Sequence, residues 1–286
     1  MGRTFLPTTI ALLMFAANSL ICRAALGGMS IDAGSYTLVR LISGAIVLLL
    51  ISGIRNGRIA PIRDVFSGLL LFLYAAPFSY AYLALSTGTG ALILFGCVQL
   101  TILLVANLSG QTTSPWQWVG IAIAFGGLVH LLLPGAGAPE ILPAISMAVA
   151  GIAWGAYTLR GKGAGDPLVR NTNAFLLSIP FMVLAFLPTA GQAHFTSEGI
   201  LLAVISGAIA SALGYVIWYM ALKELTATIA SAVQLLVPLI AAIAGVLLLK
   251  EEFTVRLAIS AMLVLGGVGL TIIAGRRQTR STRSPA

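Results

Sequence analysis

A chain of 286 residues that is 59% hydrophobic and only 8% charged excludes an ordinary soluble domain, which carries roughly 25% charged residues. The net charge of +8 does not mark a nucleic-acid binder, because its cations are dispersed over short loops and a tail between long apolar stretches. Cys22 and Cys97, both in apolar stretches, imply packing thiols and no disulfide framework.

The first apolar stretch, 7–25, follows Arg3 as a secretory leader would. Polar Asn18 and Ser19 interrupt it, and no small-x-small cleavage site leads into a polar region, so it reads as a helix of the mature protein. The second, 34–54, carries Arg40 about two turns inside. The third, 65–85, sets Tyr74, Phe78 and Tyr82 at i, i+4 and i+8, one stripe on a helix, beside Pro77. The fourth, 89–108, holds Phe95 and Gln99 one turn apart. The fifth, 116–133, contains Gly126-Gly127 and, near its end, His130. The sixth, 141–159, has Trp154 and Tyr157 three apart, and the seventh, 172–188, has Pro180. The eighth, 199–221, has small residues Ser206, Gly207, Ala210, Ser211 and Gly214, then Tyr215, Trp218 and Tyr219 on one face. The small residues read as packing positions, because close backbone approach drives helix association in lipid. The ninth, 227–249, contains Gln234 and Pro238, and the tenth, 255–274, contains Gly266-Gly267. Stretches of about 20 residues cross ~30 Å of hydrocarbon as helices, so the expected fold is all-α integral membrane.

Loop charge predicts the threading. With both termini inside, the inner side receives Arg3, Arg55, Arg58, Arg63, Arg160, Lys162, Arg170, Lys223, Arg276, Arg277, Arg280 and Arg283, twelve of the sixteen Lys and Arg. That bias places both termini on the cytoplasmic side. The basic tail reads as a topology anchor.

Five plus five stretches suggest a duplication. Tyr80 to Leu100 lies on Tyr215 to Leu235 at a shift of 135, and both blocks end in Val-Gln-Leu, with Gln99 matched to Gln234. Gly126-Gly127 matches Gly266-Gly267, and Arg23 and Arg160 end the first and sixth stretches. An odd number of spans inverts the second copy. The expected units are a five-helix repeat over 1–136, an inverted repeat over 137–275, and a basic cytoplasmic tail over 276–286.

At this point the chain resembles a family. Ala153-Trp154-Gly155-Ala156-Tyr157-Thr158-Leu159-Arg160, Leu38-Val39-Arg40-Leu41-Ile42, Tyr219-Met220-Ala221-Leu222-Lys223, Pro238 and Lys250-Glu251-Glu252 are similar to the drug/metabolite transporter superfamily in its two-copy, ten-helix exporter form. Within it, the aromatic amino acid exporters are most alike. The resemblance implies export of amino acids, aromatic ones included, without a cofactor. In the first half Ala16-Ala17-Asn18 stands where a Trp-Gly pair is common, and Pro238 has no partner near Leu103, so the site is expected to be asymmetric.

Transport needs a polar or aromatic cavity near the midplane. Tyr and Trp join a flat apolar body to a hydrogen-bonding tip, and a buried amide needs a partner. The expected substrate-binding residues are Asn18, Tyr74, Phe78, Tyr82, Phe95, Gln99, Trp154, Tyr157, Tyr215, Trp218, Tyr219 and Gln234. Arg40 reads as a gating or substrate contact, since an intramembrane charge is functional by default. Pro77, Pro180 and Pro238 read as hinges.

No Asp or Glu falls inside an apolar stretch, so no buried proton relay is visible. Arg160-Gly161-Lys162-Gly163 lacks the spacing of a phosphate loop, and no metal or hydrolase motif is present. The chain therefore reads as a carrier and not an enzyme. Its expected partners are a small-molecule substrate and the lipid bilayer, with no nucleic acid, and it is expected to work as a monomer. Rival cargoes are aromatic cations and drugs, or nucleotide sugars and sugar phosphates; the last would need more cations than Arg40.

Overall fold

The computed structural model describes residues 2–56, 64–108, 114–133, 135, 138–161, 165–225 and 233–281. Arg58, Arg63, Lys162 and Arg283 lie outside the described residues, as do the side chains of Arg3, Arg276, Arg277 and Arg280. The helices are α1 (Gly2–Gly27), α2 (Ala33–Asn56), α3 (Val65–Ala81), α4 (Thr87–Leu108), α5 (Pro115–Leu132), α6 (Ile141–Gly161) and α7 (Pro167–Phe186). A 3-10 turn (Leu187–Gln192) leads to α8 (Ser197–Ile205), a π-helical stretch (Ser206–Leu213) and α9 (Gly214–Glu224). These last three run on as one span, and α10 (Leu236–Leu249) and α11 (Val255–Ser281) complete the chain.

Among the described residues, eight helices are long and apolar enough to cross a membrane, and Val65–Ala81 and Leu236–Leu249 are shorter apolar helices. The fold is all-α, a multi-pass membrane protein of about ten helices. Large apolar side chains such as Ile54, Phe66, Trp116, Leu184 and Leu247 point outward, as a lipid-facing surface requires.

Local chemistry sets the helix starts. Asp166 accepts from the Leu168 amide and Pro167 opens α7, where a missing N–H costs nothing. Arg170, expected in a loop, therefore lies within the first turns of α7. Ser114 and Gln117 form a reciprocal capping box at α5, and Thr196 caps α8. The third helix ends at Ala81, four residues before the apolar stretch does, which leaves the Tyr82 and Leu83 carbonyls free for other donors. Pro238 stands in the first turn of α10, just past a turn at Leu235. Pro77 and Pro180 lie inside α3 and α7.

Contacts run mainly between the first five spans and the last five. The third span packs on the sixth and seventh, and the fourth on the sixth. The eighth packs on the first and second, and the ninth on the first. The second–seventh, fourth–ninth and fifth–tenth pairs also touch. Exchanging each span with the one five places along maps this set of contacts onto itself.

Candidate functional site

Arg40 lies within α2 with 1% exposure, among the most deeply buried large side chains. Its Nε donates to Ser211 Oγ (3.0 Å), and its Nη2 donates to the hydroxyls of Tyr74 (3.1 Å) and Tyr215 (3.2 Å). The guanidinium carbon stands 5.3 Å from the centre of the Tyr74 ring and 5.0 Å from that of Phe78, within cation–π range. All eight Asp and Glu lie at helix ends or in turns, and Arg40 forms no ion pair among the described residues.

Asn18 of α1 ties this cation to the eighth span. Its Nδ2 donates to Tyr74 (3.1 Å), and its Oδ1 accepts from Ser206 (2.7 Å) and Ser211 (3.4 Å). Residues five apart on an α-helix point about 140° away from each other. In the wider π turn five residues make a little more than one circuit, so both serines face Asn18. Gly207 permits the close approach to α2: a Cβ there would stand 2.1 Å from the Arg40 carbonyl oxygen.

Beside this cluster is an aromatic cage. Trp154 lies 4.5 Å from Tyr215, 4.9 Å from Tyr74, 5.5 Å from Tyr157 and 6.1 Å from Phe15, centre to centre. The rings leave a space of about 10 Å³ bounded by Phe15, Asn18, Tyr74, Phe95, Trp154 and Tyr215 among others, room for no more than about one water. A molecule larger than water fits only if the rings move apart.

The other expected residues do not line the central space. Gln99 and Gln234 bond directly to each other across the halves (Nε2 to Oε1, 3.2 Å), and neither lines the central space. Tyr157 donates to Asn171 (2.7 Å), and Arg170 stacks on Tyr157 and Tyr219 at 4.6 and 4.9 Å. Trp218 packs edge-on against Phe15 (5.7 Å). Tyr82 packs edge-on against Phe78 (4.8 Å) and belongs to the closure at the far end of α3. Sequence reasoning missed Phe15, Ser206 and Ser211; the serines carried only a packing signal, and nothing in the sequence announces a π turn.

That closure joins four segments. Arg23 Nε meets Glu251 Oε1 at 3.3 Å, and Arg23 Nη1 donates to the Tyr82 and Leu83 carbonyls at 3.0 Å each. The Glu251 oxygens accept from the Thr87 amide at 3.0 and 2.8 Å, at the positive end of α4. Lys250 takes a left-handed conformation (φ 55°), which turns Glu251 back over α10. On the same face the Ser30–Asp32 turn pairs with His194 and Thr196 through backbone bonds of 3.0 and 2.8 Å. Partial burial raises the Asp32 pKa, but hydrogen bonds from Ser35 and His194 outweigh it and leave it lowered.

The opposite face holds Arg160 with Asp64 (2.9 Å) and Arg55 with Asp166 (3.2 Å), the arginines exposed and the carboxylates partly so. The hydrogen bonds from Arg160, helped by Ser67, bring the Asp64 carboxyl down to about 2. A cavity of about 780 Å³ opens here between α1, α7 and α9, lined by Leu6, Ile10, Arg55, Asp166, Val216 and Met220 among others.

The EamA-like transporter family matches residues 141–273, from the start of α6 into α11. An uncharacterized protein of Pseudomonas aeruginosa is 47% identical over 94% of both chains. Over residues 141–273, in its second half, the present chain is similar to the EamA-like transporter family. An uncharacterized transporter of Archaeoglobus fulgidus is 27% identical over 66% of this chain and 68% of its own. A crystal structure of a protein at 17% identity shares the fold, with a TM-score of 0.69 over 99% of each chain. This chain thus has its cage where spans from both ends of the sequence meet.

Proposed function

We propose that this protein is an EamA-like transporter that exports amino acids, aromatic ones included, across a bacterial inner membrane by alternating access. One observation carries the reading: an aromatic, amide-bearing cage lies closed between two sets of interlocking contacts, one at each end of the helices. Such a cage suits a flat side chain stacked between rings, with the amino acid's polar groups met by hydroxyls and amides. The two inverted five-helix repeats are part of the proposal, and the self-mapping contact pattern supports them. So are cytoplasmic termini, a monomer and the absence of a cofactor.

Aromatic cations are the weaker rival, because the buried Arg40 guanidinium repels a second cation nearby. Sugar phosphates are weaker still, because Arg40 is the one cation on the Tyr74, Asn18 and Ser211 cluster.

The test is flux from liposomes holding purified protein, with labelled amino acids and a cationic dye. Protein-dependent flux of phenylalanine, lowered by Trp154→Ala, is expected; no flux of any solute overturns transport. External labelling should reach Gln192→Cys and miss Gln278→Cys, and the reverse overturns the orientation.

A further inference from the structure

The cluster around Arg40 has too many donors for its acceptors. A guanidinium has five N–H donors and no acceptor. Nε and Nη2 are used on Ser211, Tyr74 and Tyr215, whereas Nη1 is buried with no hydrogen-bond partner. The Tyr74 hydroxyl already accepts from both Arg40 and Asn18, so its remaining capacity is to donate. Tyr215 also accepts from Arg40 and has a proton to give. The amide oxygen of Asn18 is taken by Ser206 and Ser211. A full positive charge and spare donors are therefore held inside the protein with no carboxylate beside them.

An arginine kept only for packing would be matched by an acid, because an unpaired buried charge is costly. Tyr74 and Phe78 offset part of that cost through their ring faces. What would offset the rest is an anion. We infer that Arg40, together with the Tyr74 and Tyr215 hydroxyls it holds, anchors a carboxylate of the cargo. This rests on the transport reading above and names the group that the site recognises.

Tyr74 and Tyr215 stand in the wall of the central space, and Arg40 lies directly behind them. When the cage opens, a carboxylate reaching the wall accepts hydrogen bonds from the Tyr74 and Tyr215 hydroxyls, with the Arg40 charge directly behind them. The planar fork of a guanidinium suits a single carboxylate, whereas a dianionic phosphate would call for a second cation. The organic remainder then lies among Phe15, Trp154 and Tyr215. Recognition is carried by the acid group, and the ammonium of an amino acid is dispensable for binding.

The test uses the full chain in lipid nanodiscs, with binding measured by calorimetry. The probes are phenylalanine, phenylpropionate, which lacks the ammonium, and phenethylamine, which lacks the carboxylate. Phenylalanine and phenylpropionate should bind and phenethylamine should not. Arg40→Gln should weaken phenylpropionate about 10- to 100-fold, the size of a lost charge-assisted hydrogen bond. Tyr74→Phe, which keeps the ring, should weaken it about 3- to 10-fold. If Arg40→Gln does not fold, the wild-type probe series and Tyr74→Phe decide alone. Phenethylamine binding as tightly as phenylpropionate, no carboxylate binding at all, or phenylpropionate binding unchanged in the folded variants each overturns the inference. Flux of amino acids with acid selectivity independent of Arg40 defeats this inference and leaves transport standing. Arg40-dependent acid binding without flux of any solute does the reverse.

Discussion

The two ends of the helix bundle are closed by different means. At the Glu251 end, one half-buried ion pair holds two carbonyls after α3 and the first amide of α4, and a second clasp is made of backbone bonds between turns. At the Arg160 end, closure rests on ion pairs of exposed arginines with partly exposed carboxylates, next to a cavity of about 780 Å³. Exposed pairs contribute little, because both partners remain solvated when they part. A carboxylate bonded to a helix amide and a guanidinium at once is harder to release, since opening strands several charged or polar groups together. In this conformation the Arg160 end is therefore the easier one to open.

Four predictions test that asymmetry. In a background lacking Cys22 and Cys97, Thr89→Cys lies beside the Glu251 closure and its maleimide labelling reports opening. The largest effect is expected from Glu251→Ala. It removes charge-assisted bonds of about 1.5–3 kcal/mol each, so labelling should speed up at least ~10-fold. An unchanged rate would break the comparison. Next comes Gly245→Ala, because a Cβ there would stand 2.3 Å from Glu251 Oε2 and 3.0 Å from Thr87 Cβ. The carboxylate must move, at a cost of about 1–3 kcal/mol, and labelling should rise less than in Glu251→Ala.

A smaller change of opposite sign should follow Lys250→Gly. Glycine adopts the left-handed turn without the ~1 kcal/mol strain of a side chain, so labelling should slow and the melting temperature should rise. Faster labelling would show that the Lys250 turn does not hold Glu251 in place. The smallest effect belongs to the other end. With its folded-state value lowered from 3.8 to about 2, Asp64 adds stability that is fully present above 3.8 and lost as pH falls through about 2. Between pH 8 and 5 thermal stability should therefore show no step from this pair, and Asp64→Asn should shift it only slightly. A large Asp64→Asn effect would mean that the two ends are closed with comparable strength.

Much of the architecture is legible before any coordinates. The apolar stretches near ~20 residues become helices because backbone polar groups must be satisfied inside the segment in lipid. The Tyr74, Phe78, Tyr82 stripe is real: the rings stand 5.3 and 4.8 Å apart in sequence order, as a helical period requires. Arg40 stands out because hydrocarbon rejects a charge. Other features were beyond reach. Gln99 and Gln234 were placed at matching positions, yet nothing local says that they bond to each other. Arg23 and Glu251 are 228 residues apart, so no periodicity connects them. Ser206 and Ser211 share a face only because the helix widens between them.

Apolar length and the cost of burying charge are properties of a segment alone, so the membrane setting, the all-helical class and the depth of Arg40 can be read without tertiary structure. Which polar groups meet was decided by tertiary structure. Asn18, Arg40, Tyr74, Ser211 and Tyr215 come from four separate spans, and their hydrogen bonds exist only once packing has set the distances. The surplus of donors around Arg40 is therefore visible only in the assembled fold, as is the unequal strength of its two ends.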